Sequence, residues 1–450
     1  MYHFKSSIFG KFQLFLGMVL MFGLFSSISA AVSPEFKLLL SFDEQAGHPI
    51  GKPVQDANGN TYSVTGYSGG QNLGAVFKID ASGIYTVIHL FDGINGSDPR
   101  SSLILGSDGN LYGTTYSGGD SDAGTIFQIN ISGSTPLHTV LYSFDGSSAG
   151  HPIAGVNMGS DGKLYGTTYL GGDYGIGTVY QLDISSTAPV FGVLHSFFGF
   201  DGGYPKAGVI QGKDGKFYGI STLPDGGNLF QIDISSGTPA YSSVHQFDSI
   251  SGNLPAEDLI QGSDGKFYGT TQKGGNMGFG TVFQLDTSGA TPSYTVLHNF
   301  DGGHGASPRA GLIQGSNGKL YGTAYYGGFY NAGTVFQVDM SGPAPIYTVL
   351  HEFDRTDGGY LDSGLIQGKD GNLYGTTYYA GITDQGTVFQ IDISGTTPLL
   401  TVLHEFDGIT GGLPGALILG SDGDLYGGTS EGGSFNGGVL YRIRMNNCTS

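Results

Sequence analysis

Tryptophan is absent from this 450-residue chain, cysteine occurs once, and only 18 residues are Lys or Arg. Each shortage excludes something. A single cysteine, Cys448, leaves no disulfide framework and is expected to be an unpaired thiol near the chain end. Against 37 acidic residues, the few basic ones leave a formal charge of −19. Such a balance argues against nucleic acid and anionic membrane surfaces as partners. Charged residues total 12%, well under the roughly 25% of an average soluble domain. Catalytic signatures are missing too: there is no G-x-S-x-G elbow, H-E-x-x-H, P-loop or Cys/His zinc spacing. "GSDGNLYG" carries glycines, but no helical pattern follows to cradle phosphate.

Long apolar runs are also scarce. One, "FQLFLGMVLMFGLF", follows Lys5 and Lys11 and precedes the small residues "SSISAA". It is short for a span of about 20 residues and reads as the core of a secretory signal over residues 1–31. The mature chain is then secreted, to the cell surface or beyond, with no membrane span and a charge near −21.

What is abundant is glycine, 82 residues, together with 27 Tyr and 29 Phe. Disordered chains lack aromatics, so these glycines read as turn punctuation in an all-β protein. The stretch "LYGTTYYAGITDQGTVFQID" at 373–392 has near copies throughout. Its tyrosine recurs at Tyr62, Tyr112, Tyr165, Tyr218, Tyr268, Tyr321, Tyr374 and Tyr426, at intervals of 50 to 53 residues. Every unit holds four short β-like runs bounded by Gly, Asp, Ser or Pro. A four-strand repeat of about 50 residues predicts a propeller blade.

Eight repeats predict an eight-bladed β-propeller over residues 32–444, with four antiparallel strands per blade and a short tail at 445–450. The last unit stops after its third run, "GGVLYRIR", and the missing fourth stands at the front as "FKLLLSFD". The N-terminal strand is therefore expected to complete the last blade and close the ring. "SDGK"-type runs are expected to form tight hairpins in which Asp and Gly both take positive φ. Asp108, Asp161, Asp214, Asp264, Asp370 and Asp422 thereby become turn residues. The same run faintly resembles a calcium loop but lacks its other acidic positions and its closing Glu, so no cofactor is expected, calcium being the alternative.

The pattern "YGTT…GG…GTVF" resembles the GloVer-type tandem repeat of bacterial secreted and surface-anchored proteins, from Phe36 to Arg444. The resemblance implies a secreted, propeller-like array and no particular activity.

Residues shared by all units are read as structural. The fourth-strand histidines His89, His195, His245, His298, His351 and His404 are expected to pack between blades. Period two would place Val296, His298 and Phe300 on one face. Function is sought where the units differ, on the face shared by the loops from fourth to first strand and from second to third. Tyr325, Tyr326, Phe329, Tyr330, Tyr360, Tyr378 and Tyr379 crowd the loops of units six and seven. Rigidly held rings with polar edges suit a glycan or a partner protein. Regular positions such as Tyr325 are expected to pack inward, and Tyr326, Tyr330 and Tyr379 to be exposed.

The position just before the first strand holds Ile50, Arg100, Ile153, Lys206, Ala256, Arg309, Asp362 and Pro414. A ring containing Arg100, Lys206, Arg309 and Asp362 is a candidate site for an anionic group. In unit five Glu257 and Asp258 replace Ala-Gly. With Asp362 and Arg309 they are the candidates for an enzyme at the channel mouth, a hydrolase, lyase or lactonase. The preferred expectation is a monomeric, non-catalytic scaffold that binds a glycan or a cell-surface protein. A purely structural surface component is the third reading.

Overall fold

The computed structural model describes residues 34–42, 49–66, 73–223, 226–256 and 259–445, side chains at 49 and 50 excepted. The expected signal sequence, Glu257, Asp258 and Cys448 lie outside them.

Gly and Pro cut the chain into short strands, and the β-branched and aromatic residues between them pair locally. The result is eight antiparallel sheets of at least four strands, one per repeat, arranged as an eight-bladed propeller. Seven blades use consecutive strands. The eighth takes Gly412–Leu419, Leu425–Glu431 and Val439–Arg444 from the end of the chain and Glu35–Ser41 from its start. Phe36 pairs with Ile443 and Leu38 with Tyr441 in that closing strand. The expected closure is therefore the one that forms.

Eight buried apolar clusters sit at the eight junctions between blades. One joins Tyr321, Val335 and Phe353 of blade six to Leu365, Leu373 and Phe389 of blade seven. The cluster at the closure joins Phe42 and Leu440 of blade eight to Phe77 and Ile79 of blade one. No single blade has a core of its own, so burial of apolar area couples each blade to the next.

Three expectations need correction. First, most inner strands are shorter than the sequence runs imply: Ile104–Leu105, Ile210–Gln211 and Ile313–Gln314 hold two residues each. Near the axis the strands crowd together; a Cβ on Gly155 would lie 2.9 Å from the Ser102 carbonyl oxygen. Second, the "SDG" hairpins are three-residue loops in which glycine alone takes the left-handed conformation, as at Gly109 with φ 79°. Asp108 is freed to cap the loop. Its Oδ1 accepts the Asn110 N–H at 3.1 Å, and its Oδ2 accepts the buried Tyr112 hydroxyl at 2.7 Å. Asp161, Asp214, Asp264, Asp370 and Asp422 hold their tyrosines in the same way, at 2.6 to 2.8 Å. Third, a bulge between Val296 and His298 breaks the expected alternation of the fourth strand. Leu297, the inserted residue, packs against the core in place of Val296.

The bulge is repeated in all eight blades, and in the six that carry a histidine there it aims the ring sideways at the next blade. His245 stacks on Tyr294 at 3.6 Å and His195 on Tyr241 at 3.8 Å, both nearly parallel. The ladder runs through the closure, where His404 lies 3.5 Å from Phe36.

On one face, a glutamine latch also ties successive blades. Gln261 Oε1 accepts the Lys213 N–H at 3.1 Å while its Nε2 donates to the Gly265 carbonyl at 2.8 Å. Gln55 makes the corresponding bond to the Ser421 N–H across the ring closure.

Candidate functional site

The loops on the opposite face are longer and differ from blade to blade. The second-to-third loop of a blade zips to the linker that enters the same blade, through bridges such as Ser97↔Ser117, Ala306↔Tyr326 and Gly359↔Tyr379.

In each of the seven described linkers between blades, the residue that follows the bridge is held at positive φ: Asp98, His151, Tyr204, Leu254, Ser307, Tyr360 and Leu413, all between 49° and 59°. None is glycine, so each position stores backbone strain of about 1 kcal/mol or more. A hydrogen bond to the preceding blade offsets it. The His151 N–H donates to the Ala123 carbonyl at 2.7 Å, and the Tyr360 N–H to the Ala332 carbonyl at 2.6 Å. These hooks present one variable side chain per junction at the rim of the mouth. Apart from Tyr360, sequence reasoning missed them. A signal was there: in six of the seven the next residue is proline.

Blades six and seven bring several of the tyrosines together. Tyr325 and Tyr326 meet edge to face at 4.6 Å. Tyr360, on its hook, lies 5.6 Å from Tyr325, 5.9 Å from Tyr326 and 6.2 Å from Tyr379. Tyr378 and Tyr379 repeat the edge-to-face pair at 4.7 Å. Five rings thus form one row across the junction. The first of each pair packs inward, Tyr325 being only 7% exposed, and the second faces solvent, Tyr326 and Tyr379 at 38% each. Phe329 and Tyr330 stand at the loop tip, packed on each other at 5.0 Å and both exposed.

Arg309 anchors the inner end of the row. Its guanidinium lies 3.5 Å over the Tyr325 ring, and its Nη1 donates to Asp362 Oδ1 at 3.0 Å. Burial opposes the cation, but the Asp362 pairing outweighs it and holds the guanidinium charged. Burial raises the Tyr325 phenol above its ordinary value, with Arg309 pulling the other way. Arg100 makes the matching arrangement in blade two, 3.6 Å over Tyr116 and 2.7 Å from Asp98.

The expected ring of charges is therefore not one cluster. Arg100 and Arg309 belong to blades on opposite sides of the eight-membered ring, each already paired with its own aspartate. Lys206 is exposed between them in blade four. Glu257 and Asp258 lie outside the described residues. Among the described residues no group of three or more His, Cys, Asp or Glu is placed to hold a metal ion. The loop-capping aspartates spend their oxygens on backbone N–H groups and tyrosine hydroxyls. No helix of the described residues is long and apolar enough to cross a membrane.

Comparison with known proteins places this architecture. The family model described as the Gloeobacter/Verrucomicrobia repeat matches residues 23–138, 134–315 and 289–450. No curated protein matches the sequence. Among solved structures, a puromycin-hydrolyzing peptidase of Mycobacterium tuberculosis is similar at TM-score 0.51 and 11% identity, over 84% of this chain and 57% of that one. The chain thus spans little more than half of that enzyme's length. The BP39L lectin of Burkholderia pseudomallei is similar at TM-score 0.50 and 10% identity, over 81% of this chain and 100% of the lectin. At such identities the likeness is one of fold.

Proposed function

The chain belongs to the Gloeobacter/Verrucomicrobia repeat family, and from that premise we propose that it is a secreted, non-catalytic propeller that binds a glycan. The ligand is held on the tyrosine-rich loops of blades six and seven. The observation that carries this reading is the row of five tyrosines ending on the Arg309–Asp362 pair. A sugar ring offers an apolar face of C–H groups and a belt of hydroxyls. Exposed tyrosine rings fit the face, and an arginine beside a carboxylate fits the belt, one donating and the other accepting. Hairpin loops hold the rings in place before binding, which reduces the entropy lost on association. That a lectin shares the fold is a precedent for the scaffold.

A second reading has its own support. Phe200, Phe329, Ile382 and Ile409 are 76–86% exposed at loop tips of the same face. Apolar tips of that kind fit a protein partner.

The test is to mix the purified chain with gluco-, manno-, galacto- and xylo-hexasaccharides and follow both bound and released species by mass spectrometry. The glycan reading expects retention without fragments, and at least tenfold weaker binding after Tyr326→Ala with Tyr379→Ala. Released fragments would replace it with the hydrolase reading. Retention of none would leave the protein-partner reading.

A further inference from the structure

The arginine–tyrosine stack occurs twice, and its two copies are related by the repeat. Arg100, Tyr116 and His151 each lie 209 residues before Arg309, Tyr325 and Tyr360, four blades away in a ring of eight. The geometry repeats with the numbering. The two guanidinium–ring distances are 3.6 and 3.5 Å. Each arginine is paired with a carboxylate on the mouth face, Asp98 at 2.7 Å and Asp362 at 3.0 Å. His151 and Tyr360 occupy equivalent hooks, with φ of 54° and 59°. The His151 ring sits 4.9 Å from Tyr116, as Tyr360 sits 5.6 Å from Tyr325.

Blades two and three lack the second ring of each pair that six and seven carry. Ser117 and Leu170 stand where Tyr326 and Tyr379 stand. Nothing in blade packing requires a cation over Tyr116. The equivalent tyrosine of blade three, Tyr169, has Ile153 at the arginine position and keeps only its hook neighbour, Tyr204, at 5.0 Å. Arg100 and Arg309 are thus not a requirement of the fold, yet the stack recurs half a turn apart beside an equivalent hook; the carboxylate is recruited differently, Asp98 from two residues before Arg100 and Asp362 from the linker of the next blade.

We infer that the propeller is bivalent: Arg100, Tyr116 and His151 form a second subsite for the same class of hydroxylated sugar ring, across the mouth from the first. This rests on the glycan reading of blades six and seven. The second subsite is the weaker, because it offers two rings, one of them an imidazole, against a row of five. Two subsites on one rigid ring favour polymeric over short glycans. Once one segment of a long chain is held, the other subsite sees it at high effective concentration.

The experiment titrates the purified chain with the same four hexasaccharides by native mass spectrometry. In parallel, hydrogen exchange of the unaltered protein is measured with and without sugar. The expected result is two sugars per chain, with protection at residues 113–121 and 148–155 as well as 322–332 and 358–382. Arg100→Ala with His151→Asn should remove the weaker event and leave the stronger within twofold. Tyr326→Ala with Tyr379→Ala should do the reverse. One sugar per chain, abolished by the tyrosine substitutions and with no protection at 113–121, overturns bivalency and leaves the glycan reading standing. No sugar bound at any concentration tested overturns both. The exchange map uses no variant, so misfolding of a substituted chain cannot decide the outcome.

Discussion

His298 lies flat against Tyr347 of the next blade, ring centres 3.6 Å apart and planes within 3°. The pair belongs to a ladder of stacked rings that runs around much of the propeller's outer edge. A neutral imidazole fits this slot, but a charged one must be desolvated there.

The consequence is acid sensitivity in a defined window. Burial lowers the His298 and His404 pKa values to about 4, and that of His138, stacked on His89, to about 3. In the unfolded chain all three titrate near 6.5. Between about pH 6.5 and 4 the unfolded state therefore binds more protons, and stability falls as pH falls. A tenfold change in proton affinity is worth about 1.4 kcal/mol. These rings are partly exposed, so about 1–2 kcal/mol for each histidine is expected. His304 runs the other way, raised by Asp301 at 2.6 Å, but it is exposed and contributes little. The melting temperature should drop between pH 7 and 4.5. His298→Phe with His404→Phe, which keeps the stacks and removes the proton sites, should flatten that drop. An unchanged slope would show that these two rungs of the ladder are not acid-sensitive elements.

Blades three and eight carry an imperfection that can be removed. Six blades place Phe at the centre of the third strand, while these two place Tyr180 and Tyr441 there, fully buried. Neither hydroxyl has a hydrogen-bond partner among the described residues. A buried hydroxyl without a partner costs about 1–3 kcal/mol. Tyr180→Phe and Tyr441→Phe should each stabilise the chain by about 1 kcal/mol, additively, because they lie in separate blades. Chemical denaturation would measure this, and a loss of stability in either variant would mean that the hydroxyl is satisfied in solution.

The blades were legible in the sequence because a hairpin is a local object. The four runs of each unit, the glycine after each Asp and the offset between first and last repeat all lie within about 20 residues of one another, or follow from counting. What stayed hidden joins residues of neighbouring blades, 28 to 49 apart in the chain. The Gln261 latch to Lys213, the His245 stack on Tyr294 and the hook from His151 to Ala123 exist only once two blades are side by side. The bulge at Leu297 was hidden for a related reason: period two says which residues alternate, not where a strand gains one. At the site, composition located the tyrosines of blades six and seven. It could not show that Arg309 spends its charge on Asp362 beside them, or that Arg100 repeats the arrangement elsewhere.

The ring closure offers the last prediction. The strand Glu35–Ser41 completes blade eight, and Phe42 just beyond it is fully buried against Phe77 of blade one and Leu440 of blade eight. Without it, Val439–Arg444 becomes an open edge, and the junctions on both sides lose a wall. An edge of unpaired N–H and C=O groups recruits other chains. Phe42→Ala alone should cost about 3–5 kcal/mol, as for other buried phenylalanines. Deleting residues 34–42 should do more, because each blade is stabilised mainly by its neighbours. Opening is expected to start at the seam between blades eight and one and spread from there. Limited proteolysis followed by mass spectrometry would then show first cuts in the loops of those two blades, with the deleted chain running as oligomers on size exclusion. A deleted chain that stays monomeric and melts as before would mean that the seam is not where the ring is held.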